Sequence, residues 1–169
     1  FFDNQQFLWI GTHKGLSRMD TKTGDCINYI HDEEDSLSLS AGSIFSIGQD
    51  KENSIWISTN TGLNKLDSKT GKFQLFLKGE QLNLIYTDAD GKLWTGGSAG
   101  LYYYDSRKNN FIKYTNPVYP DGIGLITGII EDDKKKLWIS TGNSILKINE
   151  NRDGIKIYNE SHGVQQVSD

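Results

Sequence analysis

The sequence predicts an all-β fold made of one unit repeated in tandem, and three observations carry that reading. Tryptophans fall at 9, 56, 94 and 138, spaced by 47, 38 and 44 residues. Their surroundings repeat: Phe7-Leu8-Trp9-Ile10-Gly11-Thr12 returns as Ser54-Ile55-Trp56-Ile57-Ser58-Thr59, as Lys92-Leu93-Trp94-Thr95-Gly96-Gly97 and as Lys136-Leu137-Trp138-Ile139-Ser140-Thr141. A Gly-Leu pair and then an aspartate follow, at Gly15-Leu16 and Asp20, Gly62-Leu63 and Asp67, and Gly100-Leu101 and Asp105. Self-similarity at this period with an aromatic signature marks propeller blades. The expected architecture is an arc of about four four-stranded antiparallel blades, part of a larger ring of about seven.

Each copy reads as four short strands. In the second, residues 43–49 form strand A, 50–53 the turn, 55–59 strand B, 63–67 strand C and 72–77 strand D. The runs are rich in Ile, Tyr, Phe and Trp and are punctuated by Gly, Asn and Asp. Adjacent apolar residues, as in Leu-Trp-Ile, fit sheets covered on both faces, which radial stacking of blades requires. The four tryptophans therefore read as packing residues between blades rather than as ligand-stacking platforms. The expected blades are 1–30 (partial), 43–77, 82–114 and 124–158, with a further blade starting over 163–169. Asp3 precedes Trp9 by the same six residues that separate Asp50 from Trp56, so residues 1–3 read as the end of a strand A. Such an arc leaves apolar faces and sheet edges open, and is expected to be completed by more chain or by a second copy.

Composition narrows the function classes. Hydrophobic content of 36% with 24% charged residues fits a globular chain, and 18 glycines against 2 prolines fit many tight turns. The net charge of −4 comes with no basic block, which argues against nucleic-acid binding. No run approaches the roughly 18 apolar residues of a membrane helix, and no N-terminal signal pattern is present. The chain opens on Phe1, which reads as a processed or excised piece. Cys26 is the single cysteine, expected as a small apolar strand residue, and it leaves the compartment open.

No pattern of catalytic chemistry emerges. Asp20, Asp50, Asp67, Asp88, Asp90 and Asp105 recur by repeat position, which points to turn-forming contacts with the backbone. Asp88-Ala89-Asp90-Gly91 begins like a calcium loop, but the remaining oxygen ligands do not follow. Glu131-Asp132-Asp133 running into Lys134-Lys135-Lys136 reads as a solvated, self-neutralising turn. His13, His31 and His162 have no metal-ligand spacing, and there is no nucleophile elbow, P-loop or dinucleotide fingerprint. The reading is a segment without catalytic residues, metal or cofactor.

Strand parity locates a ligand surface. In an up-and-down blade the B–C turns and D–A linkers emerge at one end, and loops that break the repeat vary without cost to the core. That end collects His13, Lys14, Asn60, Ser98 and Asn143, with the acidic linker 31–40 and Tyr119 from the linker that holds both prolines. His13, Lys14, Asn60, Ser98, Tyr119 and Asn143 are the candidate ligand contacts: Tyr119 to stack on a sugar ring, the asparagines to hydrogen-bond hydroxyls.

The unit D-x-x-G-x-L-W-I-G-T-x-x-G-L-x-x-x-D-x-x-T-G resembles the two-component regulator propeller repeats, carried best by Asp88-Ala89-Asp90-Gly91-Lys92-Leu93-Trp94 and by Gly11-Thr12-His13-Lys14-Gly15-Leu16. The third copy departs from it with Asn109-Asn110 in place of Thr-Gly, the fourth with Thr141-Gly142-Asn143-Ser144-Ile145 and Asn149. The resemblance implies the periplasmic sensor region of a Bacteroidetes hybrid two-component histidine kinase. It further implies an oligosaccharide stimulus, control of polysaccharide-utilisation genes, and a membrane helix and kinase elsewhere in the protein. Partners implied are the remaining blades of the receptor and a second copy. Virginiamycin-lyase-like propellers also carry D-x-x-G-x-L-W-type blades, with a catalytic histidine near the axis. A lyase or glycan-active enzyme, with His13 or His31 as its base, is thus the alternative, and a protein–protein scaffold is a third.

Overall fold

The structure is a computed structural model that describes residues 1–164. Blade 1 holds β1 (Phe7–Gly11), β2 (Leu16–Asp20) and β3 (Cys26–Tyr29), and blade 2 holds β4 (Ile44–Gln49), β5 (Ile55–Thr59), β6 (Gly62–Asp67) and β7 (Lys72–Phe76). Blade 3 holds β8 (Leu82–Thr87), β9 (Leu93–Gly97), β10 (Gly100–Asp105) and β11 (Asn110–Lys113). Blade 4 holds β12 (Ile126–Glu131), β13 (Leu137–Thr141), β14 (Ile145–Ile148) and β15 (Ile155–Tyr158). Each sheet is an antiparallel meander in chain order, four-stranded in blades 2 to 4 and three-stranded in blade 1. Phe2 bridges Leu8, and Phe1 exchanges backbone hydrogen bonds with Trp9, so residues 1–3 run beside β1. A 3-10 turn at Glu160–His162 follows β15 and ends on Gly163 at φ 82°. Residues 165–169 of the expected further strand lie outside the described residues.

The blades pack face to face through three apolar seams. Trp9 and Leu16 meet Ile55, Ile57, Leu66 and Phe73; Trp56, Leu63 and Phe76 meet Leu82, Leu93 and Phe111; Trp94, Leu101 and Tyr114 meet Ile126, Leu137, Ile139, Leu146 and Ile148. Trp9, Trp56 and Trp94 thus each face the blade that follows. Burial along strand B records this: every residue of β5 and β9 is buried, whereas β1 buries only Trp9 and β13 only Leu137 and Ile139. Alternate residues of a strand point to opposite faces, so blade 1 leaves Leu8 half-buried and Ile10 exposed, and blade 4 leaves Trp138 half-buried. Cys26 sits in β3 as expected but is exposed, because its position faces away from blade 2.

Three further regularities hold the repeat together. Each tryptophan packs on an aromatic residue at the end of strand D: Trp9 on Tyr29, Trp56 on Phe76 and Trp138 on Tyr158, the last residues of β3, β7 and β15, and Trp94 on Tyr114, one residue beyond β11. Each indole N–H donates to the carboxylate six residues earlier, at 2.7 Å for Asp3 and Asp50 and 2.9 Å for Asp88 and Asp132. The other oxygen of each carboxylate accepts two backbone N–H groups of the A–B turn, as Asp50 Oδ1 does from Glu52 and Ser54. The fourth residue of that turn is left-handed in every blade, Gln6, Asn53, Gly91 and Lys135, and only Gly91 holds the conformation without steric cost. Two residues after each tryptophan stands Gly or Ser, and a Cβ on Gly11 or Gly96 would come within 3 Å of Ile44 or Ile126 of the next blade.

Two turn expectations change. The Asp90 carboxylate pairs with Lys135 rather than with backbone. Glu131 and Asp132 are not part of a solvated turn: Asp132 holds Trp138, and Glu131 is drawn inward by Arg152 and by the Ala89 N–H. The departures at Asn109 and Asn149 are accommodated, Asn109 taking the left-handed place of Gly24 and Gly71, and Asn149 accepting from Asp153 and Gly154.

Candidate functional site

The B–C turns and D–A linkers meet at one end of the arc. Ile44 N–H donates to Thr12 O at the start of β4, and Gly79 N–H to Thr61 O and Ser98 N–H to Gln81 O tie the linker between blades 2 and 3 to the turns of both blades. His13 Nδ1 lies 2.9 Å from Ser43 Oγ, and Ser43 N–H donates to Asn60 Oδ1 at 3.1 Å. His13 and Asn60 are therefore brought together through Ser43, with Lys14 exposed on the same turn. Ser98 and Asn143 are exposed at the turns of blades 3 and 4. Tyr119 is half-buried against the core that contains Trp94 and Ile123, its backbone held by Asn116 Oδ1, so part of its ring is committed to packing.

The linker between blades 1 and 2 builds a cleft at this end. It folds as a compact loop. His31 Nδ1 lies 3.0 Å from Leu39 O, Ser38 Oγ accepts from Asp32 N–H, and Leu37 O accepts from Phe73 N–H at the edge of blade 2. Leu39 plugs the first seam, and Ser40 is held by buried Asn64. Loops whose ends are close and whose interior is self-packed are frequent carriers of function. Between this loop and Thr61, Leu75 and Lys78 lies a cleft of about 440 Å³, lined also by Asp32, Glu33, Ser36 and Ser38. Its volume falls in the range of small-ligand sites.

The electrostatics of the cleft are acidic and partly neutralised. The Lys72 ammonium, 2.6 Å from Asp35 Oδ2, and the Leu37 N–H hold the Asp35 carboxyl below its ordinary range. The lining offers hydroxyls, carboxylates and one aliphatic surface, which suits a polyhydroxylated ligand that needs both hydrogen bonds and an apolar floor. His13 touches Ser43, but among the described residues no carboxylate holds its other ring nitrogen, so the pair lacks the orienting third group of an activated nucleophile. His31 and His162 are each held by local contacts. No cluster of three or more His, Cys, Asp or Glu able to hold a metal occurs among the described residues. Asp88 is taken up by Trp94, Asp90 N–H, Lys92 N–H and Arg152, and Asp90 by Lys135.

Picking single residues from the turns missed Leu75 and Lys78. Leu75 has the apolar alternation of an ordinary strand, and Lys78 lies in the turn after β7, in a linker whose sequence does not repeat. The signal that did point here was the length and acidity of the linker 31–40.

Comparison with known proteins places the chain. Residues 38–61 match the two component regulator propeller family, a segment that contains the Ser38–Ala41 wall of the cleft, Asp50, Trp56 and Thr61. No curated protein matches the chain. The extracellular domain of a hybrid two component system from B. thetaiotaomicron is similar in structure, at 24% identity and TM-score 0.72, over 89% of this chain and 21% of that one. Virginiamycin B lyase from Staphylococcus aureus is similar at 17% identity and TM-score 0.68, over 94% of this chain and 54% of that one. A gluconolactonase from Xanthomonas campestris is similar at 15% identity and TM-score 0.64, over 94% of this chain and 60% of that one. The chain spans less than two thirds of each of these proteins, and the likeness establishes the propeller fold. Residues 38–61 thus match the two component regulator propeller repeat, and they sit within an arc of four antiparallel blades.

Proposed function

We propose that this chain is part of the extracytoplasmic, ligand-sensing region of a hybrid two-component signalling receptor, that it binds an oligosaccharide at its linker end, and that it catalyses nothing itself. The observation that carries the reading is the coincidence of the regulator propeller repeat at residues 38–61 with one wall of the linker cleft. A ligand seated there touches two successive D–A linkers, at Ser36–Ser38 and at Lys78–Gly79. It would favour the arrangement of blades in which both linkers reach it, and so shift a population of receptor states. The similar B. thetaiotaomicron structure is itself described as an extracellular domain, which supports a periplasmic placement. The kinase, the membrane anchor and the control of polysaccharide-utilisation genes belong to the rest of the protein in this reading.

An enzymatic reading, as a lyase or glycan-active propeller, draws on the His13–Ser43 contact and on the shared fold of the lyase and lactonase. One experiment separates the two. The chain, and the whole extracytoplasmic region that contains it, are screened by thermal shift against defined oligosaccharides, and each mixture is then analysed for products. A selective rise in melting temperature with the glycan intact, lost on Ser38→Ala with Thr61→Ala, supports sensing, because a ligand that binds only the native state must stabilise it. Cleaved or eliminated product that disappears with His13→Ala supports the enzyme. Silence across the panel favours a scaffold for a protein partner.

A further inference from the structure

Resting on the oligosaccharide reading of the linker cleft, we propose which sugars fit it: those that donate hydrogen bonds and carry no negative charge, an amino sugar ahead of a neutral one, with acidic sugars turned away. The reason lies in where the donors of the linker have gone. To fold into a compact loop, residues 32–40 spend their N–H groups on one another. Asp35 N–H donates to Asp32 O and Ser38 N–H to Asp35 O, while Glu34 N–H goes to Asp32 Oδ1 and Leu37 N–H to Asp35 Oδ1. Asp32 N–H goes to Ser38 Oγ, and Ser40 N–H to Asn64 Oδ1.

The hydroxyl hydrogens are spent as well. Asn64 is fully buried, and its Nδ2 donates to Ser40 Oγ at 2.8 Å. Thr61 Oγ1 donates to Ala41 O and Thr59 Oγ1 to Gly62 O, carbonyls that can only accept. The Ser40 hydrogen is then left for Thr59 Oγ1 or Thr61 Oγ1, at 3.1 and 3.3 Å. Ser38 Oγ donates to Asp32 O, and Gly79 N–H to Thr61 O. Each hydroxyl has one hydrogen and two lone pairs, so Ser40 and Thr61 meet the cleft as acceptors. His31 adds to them: the Leu39 carbonyl 3.0 Å from Nδ1 requires the hydrogen there, and in the neutral ring Nε2 is an acceptor.

Charge acts in the same direction. The lining carries the carboxylates of Asp32, Glu33 and Asp35 against the single ammonium of Lys78. Lys72 pairs with Asp35, whereas among the described residues Asp32 and Glu33 pair with no cation. A sugar carboxylate would bring acceptors to acceptors and a negative charge to two unpaired ones. A sugar ammonium brings three donors and the opposite charge, and a neutral hydroxyl, both donor and acceptor, falls between.

Calorimetric titration of the chain with β-1,4-linked oligomers of glucosamine, glucose and glucuronic acid, matched in length and at a pH where the amine is protonated, tests this. The glucosamine oligomer is expected to bind tightest and the glucuronic acid oligomer at least about tenfold more weakly at low salt, with the gap narrowing as salt rises. Glu33→Lys, at an exposed side chain, is expected to shrink or invert that gap while the glucose oligomer binds as before and the circular dichroism is unchanged. Lys78→Gln is expected to widen it. Glu33→Gln repeats the test should the lysine disturb the loop. A glucuronic acid oligomer that binds as tightly as the glucosamine one, and loses binding on Lys78→Gln, overturns the proposal and leaves the oligosaccharide reading standing. A preference that survives Glu33→Lys unchanged overturns it too, since the choice is then made elsewhere. If none of the three binds, the proposal falls, and the oligosaccharide reading is decided by the wider panel.

Discussion

Asp50 and Trp56, six residues apart, are joined by a 2.7 Å hydrogen bond from the indole N–H to Oδ2, while Oδ1 of the same carboxylate accepts the N–H groups of Glu52 and Ser54. One side chain thus shapes the A–B turn and fixes the rotamer of the ring that fills the next seam. Asp50→Asn keeps an acceptor for the backbone but turns an amide N–H toward the indole N–H, which leaves a buried donor unsatisfied. The expected loss is about 2 kcal/mol in urea denaturation. Asp132→Asn removes the equivalent bond beside half-exposed Trp138, where water can replace it, and should cost markedly less. Equal losses at the two sites would show that the burial of the bond does not set what it contributes.

Gly96 and Ile126 define how closely two blades approach. A Cβ at Gly96 would stand 2.9 Å from two carbons of Ile126, contacts that real side chains do not make. Gly96→Val is therefore expected to destabilise by about 1–3 kcal/mol through overpacking. Ile126→Ala opens the same space and alone should cost about 2–5 kcal/mol as a cavity. The double variant should cost less than the sum of the two, because each relieves the other. Simple additivity in the thermal or urea midpoints would remove the close approach as the reason for Gly or Ser at this place in every blade.

The fold was legible because its determinants recur. The spacing of Trp9, Trp56, Trp94 and Trp138 and the alternation around them placed the strands of blade 2 to within about one residue of β4–β7. The constant separation of Asp3 from Trp9 and Asp50 from Trp56 was visible too, but a spacing does not say that the two side chains touch. What does not recur was not legible. Arg152 reaches Asp88, 64 residues away, from a turn whose sequence breaks the pattern. The candidate cleft is likewise made by a linker with no counterpart in the other blades, so its lining follows from how the loop folds back on Phe73 and Leu39. Strand parity placed the single-residue candidates His13 and Asn60 at the linker end, where they lie, and their junction through Ser43 depends on a linker conformation that no periodicity encodes.

Acid should weaken the linker loop in a defined way. Lys72 and the Leu37 N–H hold the Asp35 carboxyl below its ordinary value, so the folded chain binds fewer protons there than the unfolded one. The stability this supplies is fully present above the unfolded value, near about pH 4, and is lost as pH falls through the lower folded value. Lys72→Met removes the main cause. The urea midpoints of wild type and Lys72→Met should differ by a constant amount between pH 5 and 7 and converge toward pH 2–3. A difference that persists unchanged in acid would mean that Lys72 acts through packing rather than through its charge.

Arg152 locks blade 4 to blade 3. Its Nη2 lies 3.0 Å from Asp88 Oδ2 and 2.9 Å from Glu131 Oε1, while Nη1 donates to the carbonyls of Lys135 and Asn149. Asp88 and Glu131 have side chains only 2% and 5% exposed, so without the guanidinium two buried carboxylates are left with no cation between them. Arg152→Met is expected to cost about 3–5 kcal/mol, since removing one partner of a buried ionic cluster strands the others. Arg152→Lys keeps the charge but not the planar fork that spans both carboxylates and two carbonyls, so it should recover only part of the loss. Glu131→Gln retains an acceptor for the Ala89 N–H and removes one of the stranded charges. Added to Arg152→Met it should therefore restore stability, a sign opposite to its effect in the wild-type background. If Glu131→Gln is destabilising in both backgrounds, the cluster is held by hydrogen-bond geometry, and the repulsion between Asp88 and Glu131 is not what Arg152 relieves.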